Sequence, residues 1–217
     1  MIKRKYYAAK NNGIKQEREI FYYEDDKLHK EDGPAYINYC ENGSIWYEKY
    51  YIDGKIHREN GPAIIEYNKR GNIAGEEYWI KDKIHRENSP ARIWYYNNGK
   101  IHKEEYYIND IQHRENGPAK VWYYESGEIR EEKYYIDGEL HKENGPGSIW
   151  YYENGEVEAK IYYKNGKIHK EDGPARVWYD KNGEIEQEEY YIDGEEIIDE
   201  FQILVMNGLG MKDDEKN

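Results

Sequence analysis

The chain alternates apolar and polar residues over short stretches, and Asn-Gly or Asp-Gly pairs separate these stretches at regular intervals. The stretches 119–124 and 133–136 are rich in aromatic and β-branched residues, which is typical of β-strands. Pairs such as Asn98-Gly99 and Asp137-Gly138 tolerate the positive φ angles that a two-residue type I′ hairpin requires at both central positions. The pattern therefore predicts hairpins that follow one another as a continuous antiparallel β-meander.

A unit of 28 residues recurs along the chain. The six prolines share this spacing, each after Gly or Ser, and six histidines recur in the same phase: Pro34, Pro62, Pro90, Pro118, Pro146 and Pro174, with His29, His57, His85, His113, His141 and His169. Such periodicity is typical of repeat proteins, whose units bury their apolar faces against their neighbours. Because proline has no N–H for a sheet, strand pairing should be interrupted at each of these steps.

The predicted fold is all-β: an elongated open antiparallel β-meander of tandem 28-residue hairpin repeats with a short C-terminal capping helix. The predicted divisions are an N-terminal capping hairpin (1–28), six repeats (29–196), a C-terminal cap helix (197–210) and a disordered tail (211–217). The first segment lacks the histidine and proline positions. In the third, apolar residues from Ile197 to Val205 fall at helical spacing, and Gly208 follows as a C-cap.

Composition and charge narrow the possible functions. The chain has 26 tyrosines and six tryptophans, so aromatic rings should cover the sheet in place of a thick aliphatic core. The single cysteine, Cys40, excludes an internal disulfide and a cysteine-based zinc site. No signal peptide or membrane span is expected, and the predicted location is cytoplasmic. The net charge of -13 argues against a generic nucleic-acid binder and favours solubility, a partner with a basic surface or imitation of a polyanion.

The segment 134–141, followed by Gly145-Pro146, resembles the MORN repeat in its aromatic strand, its Asp-Gly turn and the histidine after it. The likeness covers about residues 22 to 195. The added Arg/Lys-Glu-Asp/Asn before Gly-Pro and the longer period resemble variant repeats of phage, giant-virus and bacterial accessory proteins. The resemblance implies an open β-meander scaffold for protein or phospholipid contact, and some bacterial variants are antitoxin-like. The acidic balance is unfavourable for an anionic membrane surface.

The in-phase histidines invite a metal or catalytic interpretation, which geometry disfavours. Equivalent residues one repeat apart should lie about 10 Å apart, whereas zinc needs several ligands within about 2.1 Å of one ion. We therefore predict a structural histidine that fixes its loop, with no metal and no cofactor. The glutamate two positions later also recurs in every repeat, as ion pairing would require, and no enzyme activity is expected. A hydrolase or nuclease that uses His113 and Glu115 is a weaker alternative.

A tryptophan stripe breaks the repeat symmetry, because tryptophan stands at one repeat position only from residue 94 onward, with Asn38 and Glu66 before it. Basic and tyrosine residues alternate on the same strands, so the candidate partner-binding residues are Trp94, Trp122, Trp150, Trp178, Arg92, Lys120, Arg176, Tyr96, Tyr124 and Tyr152. Trp, Tyr and Arg are frequent hot-spot residues at interfaces. The alternative is a cross-strand ladder in which cation stems cover the indoles as the sheet's own packing.

An acidic ladder forms a second candidate surface, at Glu48, Glu76, Glu104, Glu132 and Glu188, with Lys160 as the exception. It could dock on a basic groove. Alternatively, these glutamates keep an exposed sheet from aggregating.

The leading functional hypothesis is a non-catalytic repeat scaffold that binds a host protein through its long sheet. Its narrower form is a phage or viral inhibitor of a host nuclease-type defence system, anti-CRISPR-like, acting by occlusion or as an acidic nucleic-acid mimic. One alternative is binding of single-stranded nucleic acid or a small ligand along the tryptophan stripe. A membrane-associated or antitoxin-like protein is the alternative that the resemblance implies.

Overall fold

The computed structural model describes residues 1–9 and 15–197, and 27 strands lie in these ranges. In chain order, the first fourteen are β1 (Ile2–Ala9), β2 (Lys15–Glu24), β3 (Lys27–Leu28), β4 (Tyr36–Tyr39), β5 (Ile45–Lys49), β6 (Tyr51–Ile52), β7 (Lys55–Ile56), β8 (Ile64–Tyr67), β9 (Ile73–Glu77), β10 (Trp79–Ile80), β11 (Lys83–Ile84), β12 (Arg92–Tyr95), β13 (Ile101–Glu105) and β14 (Tyr107–Ile108). The others are β15 (Ile111–Gln112), β16 (Lys120–Tyr123), β17 (Ile129–Lys133), β18 (Tyr135–Ile136), β19 (Glu139–Leu140), β20 (Ser148–Tyr151), β21 (Val157–Ile161), β22 (Tyr163–Lys164), β23 (Lys167–Ile168), β24 (Arg176–Tyr179), β25 (Ile185–Glu189), β26 (Tyr191–Ile192) and β27 (Glu195–Glu196).

Each 28-residue repeat contributes two longer strands to one long sheet and then forms a separate hairpin of two-residue strands. In the third repeat, for example, β12 and β13 belong to the long sheet, and β14 pairs only with β15. The long sheet has 15 strands, antiparallel and almost entirely in chain order, from β1 at one end to β25 at the other. The predicted open antiparallel meander of hairpin repeats is confirmed.

The turn of the short hairpin is the predicted type I′ turn. Asp137 and Gly138 have φ angles of 50° and 86°. Tyr135 pairs with Leu140 across this turn, and Ile136 pairs with Glu139, as the two-residue loop requires.

The turn of the long hairpin is not the predicted two-residue turn. At Asn98-Gly99 only the glycine has positive φ, 84°, and the loop has three residues, because the Tyr96 N–H donates to the Lys100 carbonyl at 2.8 Å. The Asn98 side-chain oxygen accepts the Lys100 N–H at 2.9 Å, which holds this wider loop closed. The extra loop residue is offset by a β-bulge at His102, since Tyr95 pairs with Ile101 but Trp94 pairs with Lys103. The predicted pairing of Trp94 with Lys103 therefore holds despite the different turn.

Every repeat has this bulge, and five different residue types occupy its extra position in the six repeats. The six bulge residues are Trp46, Ala74, His102, Arg130, Glu158 and Glu186. The bulge position therefore varies in chemistry along an otherwise regular sheet.

The core is a thin line of small residues beside the Gly-Pro steps. The alanine that follows each Pro has no solvent exposure in five repeats: Ala35, Ala63, Ala91, Ala119 and Ala175. Gly147 takes this place in the remaining repeat, where an added Cβ would lie 3.1 Å from the Tyr163 ring. Buried Ile93 and Val121 lie on the neighbouring strands. The Gly-Pro steps themselves lie outside the strands, as predicted.

The two ends are described only in part. Strands β1 and β2 pair from Ile2 with Tyr23 to Ala9 with Lys15, while the turn of this hairpin lies outside the described residues. The predicted cap helix and tail also lie outside them, except Ile197, whose N–H donates to the Tyr190 carbonyl at 2.8 Å. The described residues contain no helix that could cross a membrane.

Substitution of Ala119 by valine tests the alanine line. The added methyl groups have no space at a site with no solvent exposure, so we expect the free energy of unfolding to fall by about 1–3 kcal/mol. Urea denaturation followed by circular dichroism measures the change. Ala74→Val is the matched control, because Ala74 is partly exposed, and it should change stability by less than about 0.5 kcal/mol. Equal losses in the two variants would contradict the assignment of the core.

Candidate functional site

Strand alternation gives the long sheet two faces of different chemistry. We call one the tryptophan face, whose central cross-strand row is Glu19, Asn38, Tyr47, Glu66, Gly75, Trp94, Lys103, Trp122, Glu131, Trp150, Ala159, Trp178 and Gln187. The opposite tyrosine face has the row Ile20, Ile37, Glu48, Ile65, Glu76, Ile93, Glu104, Val121, Glu132, Ile149, Lys160, Val177 and Glu188. The predicted tryptophan stripe and acidic ladder thus lie on opposite faces.

Lysine ammonium groups lie beside three of the four tryptophans of the tryptophan face, Trp94, Trp122 and Trp150. Lys103 Nζ lies 4.8 Å from the Trp94 ring centre and 4.9 Å from that of Trp122. Lys120 and Lys133 approach Trp122 at 4.7 and 5.0 Å. These distances are within the range of cation–π attraction, and the four tryptophans are only half-buried. The stripe is therefore a fixed ladder that also packs the sheet.

Buried carboxylates hold the lysines of this ladder. Glu105 has a side chain only 4% exposed, and its Oε1 lies 2.7 Å from Lys103 Nζ and 3.0 Å from Lys120 Nζ. Glu131 accepts from Lys133 at 2.7 Å in the same way. Burial alone would raise the pKa of the Glu105 carboxyl, but its bonds to Lys103 and Lys120 outweigh burial and leave that pKa below its usual value. Burial lowers the pKa of the Lys103 ammonium in spite of the bond to Glu105.

The other predicted residues of the stripe also have internal partners. Arg92 pairs with Glu77 at 3.2 Å, and Arg176 pairs with Glu189 at 3.1 Å. The hydroxyls of three tyrosines donate to backbone carbonyls of the next repeat at 2.6 to 2.8 Å: Tyr96 to Tyr123, Tyr124 to Tyr151 and Tyr152 to Tyr179. These tyrosines connect successive repeats.

On the tyrosine face, four of the five glutamates of the acidic ladder accept a tyrosine hydroxyl. The pairs are Glu48 with Tyr67 at 2.9 Å, Glu76 with Tyr95 at 2.7 Å, Glu104 with Tyr123 at 2.8 Å and Glu132 with Tyr151 at 3.0 Å. Glu104 also lies across the sheet from buried Ile93 and Val121. The fifth, Glu188, lies across from Val177. This ladder is therefore part of the packing of its face.

These bonds change the titration of the tyrosines. Burial, followed by the bond to Glu48, raises the pKa of Tyr67 to about 12. Burial and the bond to Glu104 likewise raise the pKa of Tyr123 well above its usual value. Each phenol is thus held in its neutral, donating form.

Each histidine connects the first residue of its repeat to the hairpin turn near the end of the same repeat. In each pair, His Nδ1 accepts the backbone N–H of the turn residue 24 positions later: His29 from Asp53 at 3.1 Å, His57 from Lys81 at 3.3 Å, His85 from Asn109 at 3.3 Å, His113 from Asp137 at 3.1 Å, His141 from Asn165 at 3.4 Å and His169 from Asp193 at 3.1 Å. At His29, His113 and His169 the same Nδ1 also lies 3.1 to 3.3 Å from the carboxylate of the turn aspartate. No group of three His, Cys, Asp or Glu side chains in the described ranges could hold a metal ion.

The basic residue after each histidine stacks on the tyrosine eight positions before it, which precedes its own repeat. The guanidinium of Arg114 lies 3.9 Å from the Tyr106 ring centre and donates to the Pro118 carbonyl at 3.1 Å. Lys142 lies 3.6 Å from the Tyr134 ring centre. The recurring glutamate is exposed, and at Glu171 it pairs with Lys164 at 3.1 Å. The described geometry gives these loops a structural role.

Sequence reasoning did not identify a cleft of about 870 Å³ at the N-terminal end of the tryptophan face. Its lining includes Glu19, Asn38, Trp46, Glu66 and Ala74. The sequence feature that could have indicated the cleft is the presence of Asn38 and Glu66 at the position that tryptophan occupies in later repeats.

The repeats match a known family. Residues 91–109, 120–137, 148–165, 156–172 and 175–193 match the MORN repeat variant. The matched part lies within the range 22–195 over which the sequence resembles that family. No curated protein matches the chain.

Substitution of Glu105 by glutamine tests the ion-pair network. The change leaves Lys103 and Lys120 half-buried without their shared anion, so we expect unfolding free energy to fall by about 3 kcal/mol or more at pH 7. The lowered pKa makes the wild-type contribution complete above the ordinary glutamate pKa of about 4.3 and removes it as pH falls further. The difference between the two proteins in urea denaturation should therefore shrink at acidic pH. A pH-independent difference would contradict the ion-pair explanation.

An alkaline titration tests the tyrosine–glutamate ladder. Because the folded-state pKa values are raised, the stabilisation is present below the usual tyrosine pKa of about 10 and is lost as pH rises through the raised values. Tyrosinate absorbance should develop at higher pH in the folded chain than in urea. Glu104→Gln should shift the titration of about one tyrosine to lower pH. Glu128→Gln, a change at an exposed position, should shift the titration of none. Identical curves for the two variants would contradict the assignment.

Proposed function

We propose that this chain, whose residues 91–193 are built of MORN repeat variants, is a non-catalytic β-sheet scaffold that binds a protein partner along its tryptophan face. The observation that carries the proposal is the ladder of Trp94, Trp122, Trp150 and Trp178, half-buried indoles at the regular spacing of the repeats. Aromatic residues of this kind are the usual anchors of protein interfaces.

The ladder is already ordered before any partner binds. Trp150 Nε1 donates to Ser148 Oγ at 3.2 Å, and Trp122 has three lysine ammonium groups within about 5 Å of its ring. A side chain that is fixed in the free protein loses little conformational entropy on binding. The surface therefore suits a rigid interface.

The charges of the tryptophan face favour a protein partner over a nucleic acid. Five basic side chains of this face, all from residue 92 onward, have a carboxylate partner within 3.2 Å: Arg92, Lys103, Lys120, Lys133 and Arg176. Affinity for a phosphate backbone depends on cations that are free to replace its counterions. Cations held by Glu105 and Glu131 would have to break these ion pairs first.

The narrower hypothesis, a viral inhibitor of a host nuclease that acts by acidic mimicry, has less support from the geometry. A mimic must present carboxylates to its partner. Glu48, Glu76, Glu104 and Glu132 instead accept tyrosine hydroxyls and alternate with aliphatic side chains. The host-directed role therefore rests on the sequence resemblance and the overall charge alone.

Affinity capture with matched variants tests the proposal. Trp178→Ala removes a ladder indole at the less connected end, and circular dichroism would verify that it folds. Glu104→Gln changes the opposite face. We expect a protein captured by the wild-type chain to be retained by Glu104→Gln and to bind Trp178→Ala at least about tenfold more weakly, as for a hot-spot residue.

Titration with oligo(dT) at low salt distinguishes the alternative. The proposal predicts no saturable quenching of tryptophan fluorescence. Saturable quenching, or capture that is unaffected by Trp178→Ala and by Trp122→Phe, would contradict it.

A further inference from the structure

The cleft at the N-terminal end of the tryptophan face exists because the early repeats lack the side chains that fill this face later on. Asn38 and Glu66 occupy the position of Trp94, and Gly75 occupies the position of Lys103 one repeat on. Without indoles and a lysine stem, about 870 Å³ of open volume remains. The cleft is thus a local break in the repeat symmetry.

Two carboxylates in this cleft are oriented but not neutralised. Glu19 accepts from the Tyr36 hydroxyl at 2.8 Å and from Asn38 Nδ2 at 3.3 Å. Glu66 accepts from Tyr47, whose pKa is raised to about 12 by burial and then by this bond. Among the described residues, neither glutamate forms an ion pair, in contrast to Glu105.

An exposed indole completes the lining. Trp46 is the bulge residue of its repeat and is 46% exposed, and its ring centre lies 5.0 Å from that of Tyr47. The aromatic cation–π contacts found over Trp94 and Trp122 have no counterpart over Trp46 within the described residues. The face of this indole is therefore available to a ligand.

We propose that this cleft binds a lysine or arginine side chain from a basic segment of a partner protein. Later repeats of the same face bind a cation of the chain in this way: Lys103 lies against the rings of Trp94 and Trp122 and pairs with the carboxylate of Glu105. In the cleft, Trp46 supplies the aromatic surface, and Glu19 and Glu66 supply the carboxylates. The ligand would bring a cation to the ring of Trp46, over which the described residues place none.

The cations of the cleft wall do not fill this role. The guanidinium of Arg18 donates to the Tyr39 carbonyl and to Glu41, both at 3.4 Å. Lys69 lies on the exposed rim, where its own carbonyl lies 3.5 Å from Asn42 Nδ2. Lys49 Nζ lies 5.9 Å from the ring centres of Tyr36 and Tyr47, and within the described residues it forms no ion pair with Glu19 or Glu66.

This inference goes beyond the proposed function and can fail separately from it. The ladder lies in the C-terminal repeats and uses indoles whose cations are internal. The cleft lies in the N-terminal repeats and requires an external cation. A single experiment can observe both, because each of the six tryptophans has its own indole N–H signal.

The test is a titration of ¹⁵N-labelled protein with the peptide acetyl-Gly-Arg-Gly-amide, followed by the indole N–H resonances in two-dimensional NMR. Trp46→Phe identifies the Trp46 signal. We expect a saturable shift of that signal, while the signals of Trp122 and Trp150 stay in place. The same peptide with Glu in place of Arg should give no saturable shift.

Charge-neutral variants locate the binding carboxylates. Glu66→Gln keeps the shape of the side chain and should weaken binding of the arginine peptide about fivefold or more. Glu19→Gln should also weaken this binding. Glu186→Gln makes the same charge change at the exposed bulge position of the last repeat and should leave the affinity unchanged. An absent or non-saturable Trp46 shift, an equal response to the Glu peptide, or wild-type affinity in both Glu66→Gln and Glu19→Gln would overturn the proposal.

Discussion

The absence of a second layer is the constraint on which the rest of this structure depends. The described residues form one 15-stranded sheet and six hairpins whose strands are two residues long. They include no helix or second long sheet that covers either face. An ordinary domain buries the apolar face of its sheet under another layer. This sheet has to be covered by side chains of its own strands and of the short hairpins, such as Tyr107, whose ring centre lies 5.4 Å from the Arg92 guanidinium.

The two faces meet this constraint in different ways. On the tyrosine face, buried aliphatic residues such as Ile93 lie across from glutamates, and these glutamates accept hydroxyls from tyrosines of the following repeat. On the tryptophan face, lysine stems lie between indoles, and buried Glu105 and Glu131 neutralise them. In both cases a long amphipathic side chain shields apolar surface and keeps its polar end satisfied. This explains how a strongly charged chain with few aliphatic residues forms an ordered sheet.

Much of the fold could be predicted because its determinants are local. The dipeptide Asp137-Gly138 predicts a type I′ turn, and the Gly-Pro steps predict where the strands of the sheet are interrupted. The turn at Asn98-Gly99 was predicted wrongly, because the same dipeptide also fits a three-residue loop when a bulge restores the register. The two turns can be distinguished only from the strand pairing beyond them, where the three-residue loop is accompanied by a bulge at His102.

The candidate site was harder to predict because its chemistry depends on cross-strand neighbours. The sequence places Arg92, Trp94 and Lys120 on one face. It does not show that Glu105, 13 residues after Arg92 and 15 before Lys120, pairs with both of these cations. Likewise, the bond from the Asp137 N–H to His113 joins residues 24 positions apart. Repeat spacing identifies which residues recur, whereas register determines what they touch.

The regular repeats and their exceptions therefore carry different information. A residue that recurs with the same partner in every repeat, such as the histidine that accepts a turn N–H, is explained by the internal structure of the repeat. Its recurrence gives it no reason to contact a ligand. Asn38, Glu66 and Gly75 instead remove the internal partners that the same positions have in later repeats, and they leave carboxylates and an exposed Trp46 facing open volume. In a sheet that must satisfy its own polar groups, such a departure is most simply explained by a partner that supplies the missing charge.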